Sequence, residues 1–357
     1  MKVDRVKKIL RDMEAEGLEQ MIVTSSAAIF YLTGKWFEVG ERMIALYLST
    51  KNEPKLVVNE LFPIVEDLGV EILWYKDTED PILILSKFID KEKSLGIDKN
   101  WQAHFLIRLM ELGAGKAFVN GSPIIDKARA IKDSEEIELM KKASEINDRA
   151  MKEIWRSIGE VKTEKEMGAL LGELYDKEGA EGYSFAPIIA YGANGADPHH
   201  EPDKSLLKKG EGVVIDIGCL YNHYCSDMTR TVFYGEPSSK AIEVYNIVKE
   251  ANLKGEEAVK PGRRFCDVDN AARKHIEKAG YGKYFTHRTG HSIGIEVHDY
   301  GNVSAVNEDK LESGMIFSVE PGIYLSGDVG VRIEDLVLVT ESGVEVLNKV
   351  TKEIVVL

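Results

Sequence analysis

Two stretches of this chain read as strand, turn, strand, and each sets a pair of acids against strongly apolar runs. They are VVIDIGCLYNHYCSDMTRTVF over 213–233 and IFSVEPGIYLSGDVGVRIEDLVLV over 316–339. Asp216 follows three apolar residues and Glu334 lies between Ile333 and the LVLV run, so both carboxylates are expected to face protein interior. An acid in a hairpin is more often a solvated turn residue, but a carboxylate buried by its apolar neighbours needs a partner. With Asp227 and Glu320 as the second acid of each stretch, two hairpins can bring four carboxylates together.

Four carboxylates with one imidazole, His291, make a site for a harder divalent metal such as Mn, Co, Zn or Fe, and not for thiolate-loving chemistry. Two ions about 3.5 to 4 Å apart need bridging carboxylates and activate a water as nucleophile. Asp227 and Glu334 are the expected bridges. Residues two apart in a strand share a face, so Arg332 should point with Glu334 while Asp335 points away.

Five of the eight histidines fall in two short segments: His199 and His200 in YGANGADPHHEPD, then His287, His291 and His298 in THRTGHSIGIEVHDYG. His104, His200, His223 and His275 are expected to be structural, whereas His291 and His298 are read as functional. The run GHSIG at 290–294 matches the nucleophile-elbow pattern. It is rejected, because the only later histidine is His298, six residues after Ser292.

At 357 residues two domains are expected. Residues 1–125 alternate helical patterns with short apolar runs such as QMIVTS and KLVVN, as an α/β layer domain does. Residues 126–357 form the second domain. A long helix is expected over 133–158, with Asp133 and Glu136 as a capping box. A second box, Thr163 with Glu166, opens a helix ending at Gly179. Helices are also expected over 238–259 and 267–278, giving two helix-plus-hairpin halves.

The net charge of −14 and the lack of a basic stripe argue against nucleic acid. Three cysteines without CxxC spacing suggest neither a disulfide framework nor a thiolate zinc site. No run approaches the ~20 apolar residues that span a bilayer, so a cytoplasmic protein with no membrane partner is expected.

The stretches DIGCLYNHYCSDMTRT, HRTGHSIGIEVHD, SVEPGIY and GVRIED resemble, in order, the blocks of the creatinase/prolidase (M24, pita-bread) metallopeptidases. IFYLTG in the first domain more weakly resembles their N-terminal domain. The resemblance implies a creatinase-type α/β domain followed by an α+β pita-bread catalytic domain with antiparallel sheet and flanking helices. It implies two divalent ions, Mn or Co first and Zn or Fe as alternatives. Asp216 would hold one ion, His291 and Glu320 the other, with Asp227 and Glu334 bridging.

By the same resemblance His298 would polarise the scissile carbonyl, Glu320 would handle the proton of the attacking water, and His199 would line the site near the leaving proline. His287 and Arg332 match supporting or substrate positions. The two-domain length is similar to the proline-specific branch, which implies hydrolysis before proline in a di- or oligopeptide by a homodimer. Some Xaa-Pro dipeptidases carry an Arg four residues after the position of His298, to dock the substrate's terminal carboxylate. Here that residue is Asn302, so Arg288, Arg332 or a residue of another subunit would have to serve. The alternatives are aminopeptidase P action on longer peptides, a non-catalytic peptide-binding protein, and a metal-free amidinohydrolase.

Overall fold

The computed structural model describes residues 1–160 and 162–357. They form two compact units, Met1–Arg129 and Ala130–Leu357.

The first unit is an α/β layer. Its six-stranded sheet runs in the order Glu71–Tyr75, Lys55–Asn59, Ala45–Ser49, Gln20–Val23, Ser94–Ile97, Ala117–Asn120. Gln20–Val23 and Ala45–Ser49 are buried along their whole length, which is why those segments read as unbroken apolar runs instead of alternating. The unit extends beyond position 125 because Ser122–Ala130 is a single helix. Ala128 O in it accepts from Tyr31 Oη at 3.4 Å and Lys8 Nζ at 3.3 Å.

In the second unit, helices Ser134–Arg156 and Glu164–Glu178 both start with the expected capping boxes, closed from both sides by Asp133 with Glu136 and by Thr163 with Glu166. Gly179 ends the second helix in the left-handed region at φ +79°. The pair covers a three-stranded antiparallel sheet in which Gly212–Ile217 lies between Ile188–Tyr191 and Met228–Phe233. Met151, Ile154, Met167 and Leu171 pack there against Val213, Ile215 and Met228.

Between the two acids of this hairpin, Leu220–Tyr221 and Tyr224–Cys225 form a small ribbon. Asn222 and His223 turn it with φ +46° and +63°, the mirror-image turn whose twist suits a two-residue loop.

Helices Ser239–Glu257 and Phe265–Lys278 cover the second hairpin, with Val248, Ala251 and Ile276 against Ile323, Val331 and Ile333. This hairpin is two ribbons, not one. Ile316–Val319 pairs with Asp335–Val339, and Gly322–Tyr324 pairs with Gly330–Arg332. The ladder breaks at Glu320–Pro321 and at Ile333–Glu334, so both acids sit at the bend, one of them beside a proline that has no N–H to donate. Among the described residues no helix is long and apolar enough to cross a membrane.

Candidate metal centre

The hairpins meet along the Met228–Phe233 strand. Glu334 N donates to Thr229 O at 3.1 Å and Arg332 N to Thr231 Oγ1 at 3.2 Å, while Thr231 Oγ1 donates to Arg332 O at 3.0 Å. Since Asp216 lies opposite Thr229 in the sheet and Asp227 precedes Met228, this docking gathers the four carboxylates.

His291 enters from a two-residue strand paired with Asn302–Val303. Its Nε2 lies 3.6 Å from Asp227 Oδ2 and 3.5 Å from Glu320 Oε1. Ligand atoms of Asp227, His291 and Glu334 all lie within 4.8 Å of one another. Asp216, Asp227, Glu320, Glu334 and His291 line one cavity of about 790 Å³, and His199, His287, His298 and Arg332 complete the sequence-derived set around it.

The donor chemistry fits a cation. His291 Nδ1 sits 3.3 Å from the Ser292 carbonyl, which only accepts, so Nδ1 carries the proton and the Nε2 lone pair faces the carboxylates. Burial, reinforced by His298, pushes this imidazole down to about 3, so it is neutral. Buried oxygens Oδ1 of Asp216 and Oδ1 of Asp227 have no hydrogen-bond partner among the described residues. Acceptors turned toward acceptors in a buried site need positive charge between them.

The proton affinities of the acids point the same way. Burial, with the charges of Glu334, Asp216 and Glu320, holds the Asp227 carboxyl well above the carboxylate range. Glu334 is raised in the same way by burial and by Glu320 and Asp216. Burial lifts Glu320 to about 7 despite the opposing pull of Arg332. Like charges this close do not all ionise unaided.

Arg332 and Glu334 converge on Thr229, whose Oγ1 accepts from Arg332 Nε at 3.1 Å and donates to Glu334 Oε2 at 2.7 Å. Asp335 faces away, to Arg230 at 2.6 Å and Lys352 at 3.0 Å. Arg332 also donates to Asp216 Oδ2 at 2.8 Å and to Tyr324 Oη at 3.0 Å. His287 Nε2 meets the same Tyr324 Oη at 2.8 Å. The His298 ring stands edge-to-face with His291, centroids 4.3 Å apart. His199 is exposed at the cavity, held through its N–H to Asp197 Oδ1 at 3.1 Å.

Sequence reasoning missed Thr229, Tyr324 and Ser318, whose Oγ accepts from His291 N at 3.0 Å and donates to Glu320 Oε1 at 3.3 Å. Thr229 and Ser318 each lie two residues from an acid, the same-face spacing of a strand, and that signal could have found them. His200, expected to be structural, is bonded to Glu164 at 2.7 Å and also lines the cavity. His104, likewise expected to be structural, packs on Phe105 in the first unit, centroids 4.0 Å apart.

An "uncharacterized peptidase" of Staphylococcus aureus is 36% identical over 357 residues, covering 98% of this chain and 99% of that protein. The crystal structure of a recombinant prolidase from Thermococcus sibiricus superposes with TM-score 0.93 at 34% identity, covering 100% of this chain and 99% of the other. That of an X-Pro aminopeptidase from Thermotoga maritima gives 0.86 at 32%, covering 97% and 100%. The profile of the creatinase/prolidase N-terminal domain matches residues 5–131 and that of metallopeptidase family M24 matches residues 138–341, so the chain belongs to the M24 metallopeptidases and is a metal-dependent peptidase with a creatinase-type first domain.

Proposed function

We propose that the chain is an Xaa-Pro dipeptidase using two divalent ions, Mn or Co by preference, to hydrolyse the bond before proline. The observation that carries this reading is the set of four carboxylates and a neutral imidazole converging on one cavity of about 790 Å³. Its domains, expected at 1–125 and 126–357, are assigned to the compact units Met1–Arg129, creatinase-type, and Ala130–Leu357, pita-bread.

Asp216 would hold one ion, His291 and Glu320 the other, and Asp227 and Glu334 both. Bound there, the ions supply Lewis acidity to the scissile carbonyl and lower the pKa of a water. Glu320, 3.5 Å from His291 Nε2 and steadied by Ser318 Oγ, would accept the proton of that water and deliver it to the proline nitrogen. His298, whose pKa burial, Arg288 and His199 lower, is a neutral donor toward the carbonyl oxygen. His199 stands on the leaving side, and Tyr324 holds His287 and Arg332 in a fixed relation.

A dipeptide also presents the carboxylate of its proline. Arg332 is 3% exposed and committed to Asp216, Tyr324 and Thr229. Asn302 is not among the residues lining the cavity. Arg288 lines it, is exposed, and its side chain has no hydrogen bond or ion pair among the described residues. Arg288 is therefore assigned to the substrate carboxylate, and this free cation favours the dipeptidase reading over aminopeptidase P action. A homodimer in the cytoplasm completes the proposal, checked by sedimentation at twice the mass of one chain.

The test is a mixed digest of Ala-Pro and Ala-Pro-Ala-Ala with Mn-loaded protein and a chelated control. Metal-dependent loss of Ala-Pro alone supports the proposal. Loss of the longer peptide means aminopeptidase P action, and survival of both removes proline-directed hydrolysis.

A further inference from the structure

The loop that carries His199 has little apolar anchorage. After the strand Ile188–Tyr191 the chain makes a short 3-10 turn, Gly192–Ala196, then passes Pro198, His199, His200 and Pro202 along the cavity before reaching Ser205. Between 192 and 205 only Gly195 is fully buried. Such a segment is held by polar contacts or not at all.

Those contacts converge on one side chain outside the metal centre. Glu164, at the start of the Glu164–Glu178 helix, is 0% exposed. Its Oε1 accepts from Tyr191 N at 2.7 Å and Asn194 Nδ2 at 2.9 Å. Its Oε2 accepts from His200 Nε2 at 2.7 Å and Asp203 N at 2.9 Å. Glu164 N donates in turn to Ser205 O at 3.3 Å and Lys165 N to Asp203 O at 3.1 Å. The entry, middle and exit of the loop thus close on one carboxylate.

Glu164, His200 and Asp203 have ligand atoms within 4.8 Å of one another, a spacing that would suit a metal ion. Here, however, both Glu164 oxygens already take two N–H donors each, in contrast with the unpartnered oxygens of Asp216 and Asp227. The filled acceptors mark a clamp rather than an ion site.

We infer that Glu164 is a positioning residue, which through His200 fixes the 191–205 loop so that His199 stands in the cavity. His200 is the tether one residue from His199, and its ring N–H ties the middle of the loop to the helix start. Loss of this tether leaves the metal ligands untouched, since none of them lies on the loop. It lets His199 move, and a substrate-facing side chain that must be ordered on binding costs affinity.

The inference rests on the peptidase reading for its kinetic arm and not for its structural arm. His200→Ala is expected to raise KM for Ala-Pro about ten-fold, the scale of a lost hydrogen bond to a charged group, with kcat and Mn content near wild type. His200→Gln keeps an N–H donor and is expected to restore most of the KM. In the His199→Ala background, His200→Ala should add little, because neighbours acting as one unit are not additive. Trypsin should nick His200→Ala after Lys204 faster than wild type, whatever the activity.

Glu164→Gln, which turns an amide NH₂ against N–H donors, should reproduce these effects if it folds; His200→Ala carries the test if it does not. Unchanged KM and unchanged nicking in His200→Ala overturn the clamp, as does a full additional penalty on top of His199→Ala. If wild-type protein cleaves neither Ala-Pro nor longer peptides, the peptidase reading fails, and the nicking rates alone then decide the clamp.

Discussion

Thr229 Oγ1 donates to Glu334 Oε2 at 2.7 Å across 105 residues of sequence, joining the two acidic hairpins at the carboxylate assigned as a bridge. The same hydroxyl accepts from Arg332 Nε at 3.1 Å, and the residue is fully buried, so a valine of the same shape removes both bonds at once. Thr229→Val is therefore expected to keep the fold and weaken metal binding about ten-fold or more, the usual cost of removing a group that orients a ligand. Titration of metal-free protein with Mn measures it; unchanged affinity would remove Thr229 from the site.

Asp227→Asn separates stability from catalysis. Metal content and hydrolysis should fall, activity by at least about a hundred-fold, the scale of losing a main electrostatic element of a site. The metal-free variant should be more stable than metal-free wild type, because one of the mutually repelling buried acids is gone. Calorimetry on chelated samples reads that sign, and a less stable variant would contradict the electrostatic account.

The pH dependence of the metal-free protein follows from the same acids. In the unfolded chain the carboxyls ionise near their ordinary 3.8 and 4.5, whereas the folded state raises Glu320 to about 7 and holds Asp227 and Glu334 well above their ordinary values. From about one unit above the ordinary imidazole value of 6.5, the lowered His275, His287, His291 and His298 are almost wholly neutral in both states and contribute little slope. The folded protein then binds more protons than the unfolded one, so stability falls as pH rises. The Tm of chelated protein should drop by about 3 °C between pH 7.5 and pH 8.5, while metal-loaded protein, its carboxylates ionised at both ends, should stay nearly flat.

Arg288 is assigned to the terminal carboxylate. Arg288→Ala should raise KM for Ala-Pro about ten-fold with kcat little changed. Ala-Pro amide should already show that penalty with wild type and gain no further loss in the variant. Equal effects on acid and amide would place the carboxylate elsewhere.

The gathering of four acids and His291 at one cavity was legible because each acid or its neighbour interrupts an apolar run, and the helix starts because Asp133 with Glu136 and Thr163 with Glu166 close reciprocal caps. The ladder breaks at Glu320 and Glu334 were not legible, since SVEPGIY and GVRIEDL read as continuous strands until the pairing partners are known. Tyr324 looked like one more apolar strand residue, and its contacts to His287 and Arg332 depend on the fold around it. Glu164 was hidden in the first turn of a helix, where an acid is ordinary. The turn at Asn222–His223 lacked the usual glycine, so its left-handed pair was not foreseen.

The break in the second hairpin also bears on how such a site could arise or be rebuilt. Each hairpin, with its own pair of helices, supplies only half of the carboxylates, and the halves join through Thr229 and Thr231 to Glu334 and Arg332. Ions bound there would work as rivets through a seam, drawing two separately covered halves together, so that neither half, cut out and grafted elsewhere, would carry the chemistry with it.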